Sequence, residues 1–222
     1  RAAIMTGKFP STSGYVDNYV SETKGGVLQR TQERSHLELE AVTIAESLKA
    51  GGYQTGFLGK WHLTNNDETH LPTDQGFDVN IAGGWKGHPR DGFFSPYKLA
   101  HLKDGPKGEY LTDRITTEAI SVLEQFSKND TPWFVYMSYY TVHAPFHTKP
   151  EKTKKYAAKK ARNPKYGGMV ESMDENIGRM LSWLDQKGLR ENTIIFFTSD
   201  NGGYKPACLL YTSDAADDRG CV

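Results

Sequence analysis

Three runs of this chain end in side chains that handle anions, protons or hard metal ions. Tyr53–Leu58 runs into Gly59-Lys60-Trp61-His62, Trp133–Tyr140 runs into Thr141-Val142-His143-Ala144-Pro145, and the TIIFFTSDNGG run over 193–203 stops at Asp200, Asn201 and two glycines. A lysine supplies a fixed cation and a histidine carries protons near neutral pH. Asp200 and Asn201 offer a carboxylate and an amide carbonyl, hard oxygen donors that suit Ca²⁺ or Mg²⁺ better than zinc. Lys60 and His62 stand two apart on an extended segment, so they point the same way. Together the set suits stabilisation of an anionic centre and protonation of a leaving oxygen, the needs of ester hydrolysis at sulfur or phosphorus.

Each run alone has a plainer reading. Asp-Asn-Gly-Gly also describes a turn after a strand. A histidine at a strand exit is commonly structural, and Pro145 biases Ala144 towards extended backbone and so holds His143 there. The argument rests on coincidence. In open α/β sheets ligands bind outside the carboxyl ends of the strands, so three loaded ends imply one convergent site.

The elements that must position these ends follow from hydrophobic periodicity. A helix is expected over Glu38–Ala50, with Val42, Ala45 and Leu48 on one stripe and Gly51-Gly52 as its stop. A second is expected over Leu111–Lys128 with Ile115, Ala119, Val122, Leu123 and Phe126 inward, and a third over Tyr166–Lys187 with Gly188 as its cap. Helices alternating with strands predict a largely parallel sheet flanked by helices, with right-handed crossovers and no linker dividing the chain. Between the first strand and second helix lies Thr64–Gly108, a Gly-, Pro- and aromatic-rich segment whose length suggests function. Within it Trp85, Lys86, His88 and Arg90 are candidate contacts for an anionic or sugar substrate; a packed surface loop is an equal alternative.

Composition bounds the partners. Among 222 residues the 27 basic and 27 acidic side chains cancel, so nucleic acid is not favoured. No run of about 18 apolar residues could span a membrane. The basic stretch Lys149–Lys165 reads as a solvated face. Both cysteines, Cys208 and Cys221, fall in CLLYTSDAADDRGCV, which lacks any hydrophobic period and reads as translated sequencing-adapter sequence, so residues 208–222 are set apart from the expected domain over 1–207. The chain starts at Arg1 without an initiator Met, which leaves a leader or first strand unseen.

These residues resemble the sulfatases of the alkaline-phosphatase superfamily, in particular arylsulfatase A-like enzymes. The run over 52–62, GYQTGFLGKWH, looks like the second sulfatase signature, and Arg1–Gly7, RAAIMTG, looks like the continuation of the first. Thr198-Ser199-Asp200-Asn201-Gly202-Gly203 resembles the family's metal-binding strand end, and the run over 108–114, GEYLTDR, resembles the segment that opens the helix before the His143 strand.

The resemblance implies an alkaline-phosphatase-like α/β fold, incomplete in this chain. It implies that Arg1 supports a formylglycine nucleophile, that Lys60 and His62 contact that nucleophile or the sulfate, that His143 assists the leaving oxygen, and that Asp200 and Asn201 bind Ca²⁺. The Cys or Ser that becomes formylglycine, the aspartates that complete the calcium site and a later lysine are not among these residues. The expectation is therefore an internal piece of a sulfatase acting on a sulfated glycan or aryl sulfate, inactive by itself, with a periplasmic, extracellular or lysosomal home. Two rivals are a phosphodiesterase or phosphonate hydrolase of the same superfamily, and a non-catalytic glycan-binding protein that stacks sugars on Trp85, Phe93, Phe94 and Tyr97.

Overall fold

The computed structural model describes residues 1–9, 12 and 36–202. Gly203 and the 208–222 tail lie outside them. Three strands, β1 (Gln54–Gly59), β2 (Val79–Ile81) and β3 (Trp133–Ser138), form an all-parallel sheet in the order β2-β1-β3. Gly56 faces Val79 on one side and Val135 on the other, and Gly59 aligns with Ser138, so the ends of β1 and β3 finish level. The helices are α1 (Ala2–Thr6), α2 (Ile44–Ala50), α3 (Leu111–Phe126), α4 (Pro150–Ala158) and α5 (Pro164–Gln186).

Side-chain alternation along the strands divides the core into two faces. Phe57 packs with Trp61, Phe77, Ala2, Met5, Leu37 and Ala45, and Phe134 and Tyr136 of β3 join that side. Leu58, Val135 and Met137 face α3 through Leu111, Ile115, Ala119, Val122 and Phe126. Gly56 permits this contact, since a Cβ there would come 3.2 Å from Val122 and 3.3 Å from Phe126. Outside α3, Leu123 meets Trp183 and Leu184 of α5. The inward residues expected on α3 are all buried, and Gly188 takes the left-handed φ of +66° expected after α5.

Four expectations need correction. First, Thr193–Thr198 forms no strand; it lies on the surface with Phe196 90% exposed. β-Branched and aromatic residues favour strands only when a neighbouring strand takes up their backbone groups, and among the described residues none pairs with them.

Second, α2 begins at Ile44, not Glu38. Thr43 closes a capping box, its hydroxyl accepting from the Glu46 amide at 3.1 Å while the Glu46 carboxylate accepts from the Thr43 amide at 2.7 Å. Val42 therefore lies outside the helix and 64% exposed.

Third, the long segment over 64–108, expected without helices or strands of its own, carries short elements. It holds β2 and a 3₁₀ turn, Pro72–Gln75. Fourth, the basic stretch is only partly a solvated face. It forms α4 and the start of α5, and Lys152 is 6% exposed, bonded to Glu171 at 3.0 Å and Glu175 at 2.5 Å. Among the described residues no helix is long and apolar enough to cross a membrane.

Candidate active site at the carboxyl ends of β1 and β3

The turn out of β1 is built around Gly59. Its φ is +102°, and a Cβ would lie 1.8 Å from the Ser138 carbonyl oxygen, so only glycine lets the two strand ends close together. The Lys60 amide donates to the Ser138 carbonyl at 2.7 Å and the Ser138 hydroxyl donates to the Lys60 carbonyl at 2.8 Å. Trp61 turns the opposite way into the core, fully buried, with its indole N–H on the His70 carbonyl at 2.9 Å. That anchor leaves Lys60 and His62 in the same charged cluster, where the Lys60 charge acts on His62. His62 has φ +56°, so the segment is not extended through this point.

Arg1 enters from the other face. It caps α1, whose Ala2 and Met5 are buried beside Trp61, and Gly7 ends that helix in a left-handed turn. The Arg1 guanidinium donates to the Trp61 carbonyl at 3.1 Å and to the Asp200 carboxylate at 2.5 Å. Asp200 thus joins the cluster although its segment pairs with no strand. Asn201 donates its side-chain amide to the Gly202 carbonyl at 2.8 Å, which leaves its own carbonyl oxygen as a donor atom.

His143 follows β3 after a tight turn, its amide on the Tyr140 carbonyl at 3.1 Å. The ring Nδ1 lies 2.6 Å from the Ala144 carbonyl oxygen. A carbonyl only accepts, so Nδ1 carries the hydrogen and Nε2 is the nitrogen left for chemistry. The ring of His88 stacks on that of His143, centroids 4.9 Å apart and planes within 2°. The loop after β2 therefore reaches the site at His88.

Two further cations of that loop make contacts within it. The Arg90 guanidinium lies 5.0 Å from the Trp85 ring, and the Lys86 ammonium donates to the Lys98 carbonyl. Phe93 and Tyr97 are buried in the core and cannot stack on a sugar, which removes two of the four aromatics on which a glycan-binding reading depends.

Arg1 and Lys60 thus sit by the Asp200 carboxylate, while His62, His88 and His143 add to the same group of cationic and imidazole side chains. The imbalance registers in their protonation. Burial, then the charge of Arg1, lowers the Lys60 pKa to about 8, with Asp200 only partly opposing. His62 is an exposed residue, yet desolvation of its ring, then Lys60, Arg1, His143 and His88, lowers it to about 4. His88 is lowered by burial, then by His143, Lys60 and Arg90. At neutral pH Lys60 is a cation while His62 and His88 are neutral. An entering anion would find little competing negative charge.

Sequence reasoning reached Arg1, Lys60, His62, His143 and Asp200 but not Ser138 or Gly87. Ser138 ends an ordinary strand run and carries no signal of its own. Gly87 lies so close under the His62 ring that a Cβ would be 2.7 Å from it. Among the described residues no group of three or more His, Cys, Asp or Glu is arranged to hold a metal ion. Asp200 and Asn201 match the oxygen chemistry of calcium, but are two donors where about six to eight are needed.

The Sulfatase family profile matches residues 1–214. An arylsulfatase of Hemicentrotus pulcherrimus is 30% identical across 94% of this chain and 39% of its own length. An ulvan-active sulfatase of Formosa agariphila is 31% identical across 91% of this chain and 40% of its own. The chain therefore spans about two fifths of the curated relatives it matches. The crystal structure of Ps i-CgsB in complex with k-i-k-neocarrahexaose superposes with a TM-score of 0.70 and 28% identity, over 91% of this chain and 47% of that one. With the fold, the signature turn at Lys60 and the family match in agreement, this chain belongs to the sulfatase family and has its alkaline-phosphatase-like α/β fold.

Proposed function

We propose that the protein carrying this chain hydrolyses sulfate esters, and that Arg1, Lys60, His62 and His143 are its contribution to the active site. The observation that carries the reading is the cluster of cations and histidines at the level ends of β1 and β3, opposed by the single carboxylate of Asp200. Lys60 holds the sulfate oxygens and offsets charge that builds on them in the transition state. Arg1, fixed by the Trp61 carbonyl and Asp200, adds charge and orients the nucleophile's surroundings. His143 presents Nε2, the nitrogen not engaged with the Ala144 carbonyl, and as the imidazolium, protonated on both nitrogens, it gives the Nε2 proton to the departing oxygen.

The nucleophile implied by the family resemblance is a hydrated formylglycine, made from a residue beyond those present here. Asp200 and Asn201 would hold part of a calcium site. That ion, when bound, would polarise sulfate oxygens and neutralise charge. The substrate class we favour is a sulfated carbohydrate. Its support is the half-buried Trp85 with Arg90 over its ring, an apolar face and a cation adjoining His88. Among relatives, one is named an ulvan-active sulfatase and a solved neighbour holds a neocarrahexaose.

The test is turnover by the native gene product. Sulfated oligosaccharide or aryl sulfate should be cleaved, and Lys60→Ala and His143→Ala should each lower cleavage on the order of 10²-fold or more. Preference for an aryl phosphate or phosphonate would assign the site to the phosphoesterase branch instead.

A further inference from the structure

The loop after β2 touches both histidine walls of the site within two consecutive residues. Gly87 lies under the His62 imidazole, where a Cβ would come 2.7 Å from Cε1, 2.9 Å from Nδ1 and 3.0 Å from Nε2. His88 lies face to face on His143, 4.9 Å between centroids and 2° between planes. We propose that Gly87-His88 is a positioning element that sets the placement of His62 and His143, with His88 acting on the reaction through His143 and not through the substrate.

The geometry of His143 supports this. A histidine at the exit of a strand has two soft torsions, and the side-chain bond of His143, from Nδ1 to the Ala144 carbonyl, fixes only the position of one edge. Rotation about that edge would still sweep Nε2 through an arc. The flat face of His88 closes that arc, because stacked rings at about 4.5 to 7 Å resist tilting out of plane. His88 is itself held, since the neighbouring Gly87 cannot move towards the site without striking His62 and His88 cannot move inward without striking His143. One loop dipeptide thereby keeps the two imidazoles in fixed register.

Proton donation depends on that register, since misplacing a reacting group by about 1 Å can cost on the order of 100-fold. No equivalent role falls to Lys86, whose ammonium is spent on the Lys98 carbonyl.

The proposal rests on the reading of His143 as the leaving-group acid, so its test begins with a measurement that does not need activity. In crystals of the native gene product, His88→Ala should leave the His143 ring rotated or in several orientations, while His88→Phe should keep it ordered as in the parent. Gly87→Ala should displace the His62 ring. With an aryl sulfate, His88→Ala should lower kcat on the order of 10- to 100-fold with KM within about twofold, and His88→Phe should recover most of the loss.

A His143 ring unmoved in His88→Ala overturns the proposal. So does a His88→Phe enzyme that is ordered yet as slow as His88→Ala, because His88 would then act on substrate or proton directly. If ring order depends on His88 but the parent enzyme cleaves no sulfate ester, the positioning stands and the proposed function fails.

Discussion

Two charged regions among the described residues are organised in opposite ways. Where α3, α4 and α5 meet, charges are matched: Lys152 lies between Glu171 and Glu175, Lys155 also reaches Glu171, Lys149 pairs with Asp113, and Asn176 and Arg179 bond back to Asp113. Hydrogen bonding from Lys155, with help from Lys152, holds the Glu171 carboxyl down at about 2. At the ends of β1 and β3, Arg1 and Lys60 share the Asp200 carboxylate beside three histidines, and Lys60 is driven down to about 8. The first region is neutralised from within and holds helices together. The second is left short of negative charge, which costs stability and suits an anionic ligand. Perturbed protonation alone does not separate a structural network from a site; the balance of charge does.

The contrast is broken most directly at Lys60. Replacing it with Ala should lower sulfate-ester turnover on the order of 10²- to 10³-fold or more, as removal of one preorganised charge does. Steady-state kinetics on the native gene product reads this. Its protonation also predicts a limb of the pH profile. Activity that needs the Lys60 cation should fall as pH rises through about 8 in the free enzyme, and Lys60→Arg should carry that limb well beyond this range, because a guanidinium keeps its proton.

Removal of a matched charge should act on stability instead. Glu171→Ala should destabilise by about 2 kcal/mol in urea or thermal denaturation, with turnover per folded molecule unchanged. The sign of its pH dependence is set by a folded pKa below the unfolded one. The contribution of Glu171 is present above the ordinary carboxylate range and lost as pH falls from about 4 towards 2.

Lys60→Met should do the reverse. A lysine whose folded pKa lies below its unfolded one is a liability below pH 8 that lessens as pH climbs towards the unfolded value. The variant should gain about 1–2 kcal/mol near neutral pH while losing activity, the trade expected at a functional site.

The smallest effect is expected at the rim. Arg90→Ala should raise KM for a sulfated oligosaccharide by about 3- to 10-fold with little change in kcat. Lys86→Ala should do less, because its ammonium is occupied within the loop. Equal effects on KM would mean that the loop rearranges around substrate.

What was legible in the sequence divides along the same line. The strand ends at Lys60 and His143 could be read because an apolar run that stops at a charged group is a local signal, and β1, β3, α3 and α5 all formed within a few residues of expectation. The run before Asp200 has the same local signal, yet Ile194, Phe196 and Phe197 are exposed, because a strand exists only with a partner and that pairing is not local. The Thr43 capping box was readable as Thr-x-x-Glu but lay inside a longer helical period that masked it. Lys152 could not be told from its solvated neighbours, since the carboxylates that match it come from a different helix. His88 was placed in the right loop, but its stacking on His143 depends on the close approach at Gly87, which has no periodic signature.

The measurement that tests the central claim most directly is the ratio of aryl sulfate to aryl phosphate hydrolysis by the native gene product, taken alongside Lys60→Ala. A strong preference for the sulfate ester that disappears with Lys60 is the predicted result. Preferential cleavage of the phosphate ester, or sulfate turnover indifferent to Lys60, would contradict the assignment of this charge-imbalanced strand end as a sulfatase active site.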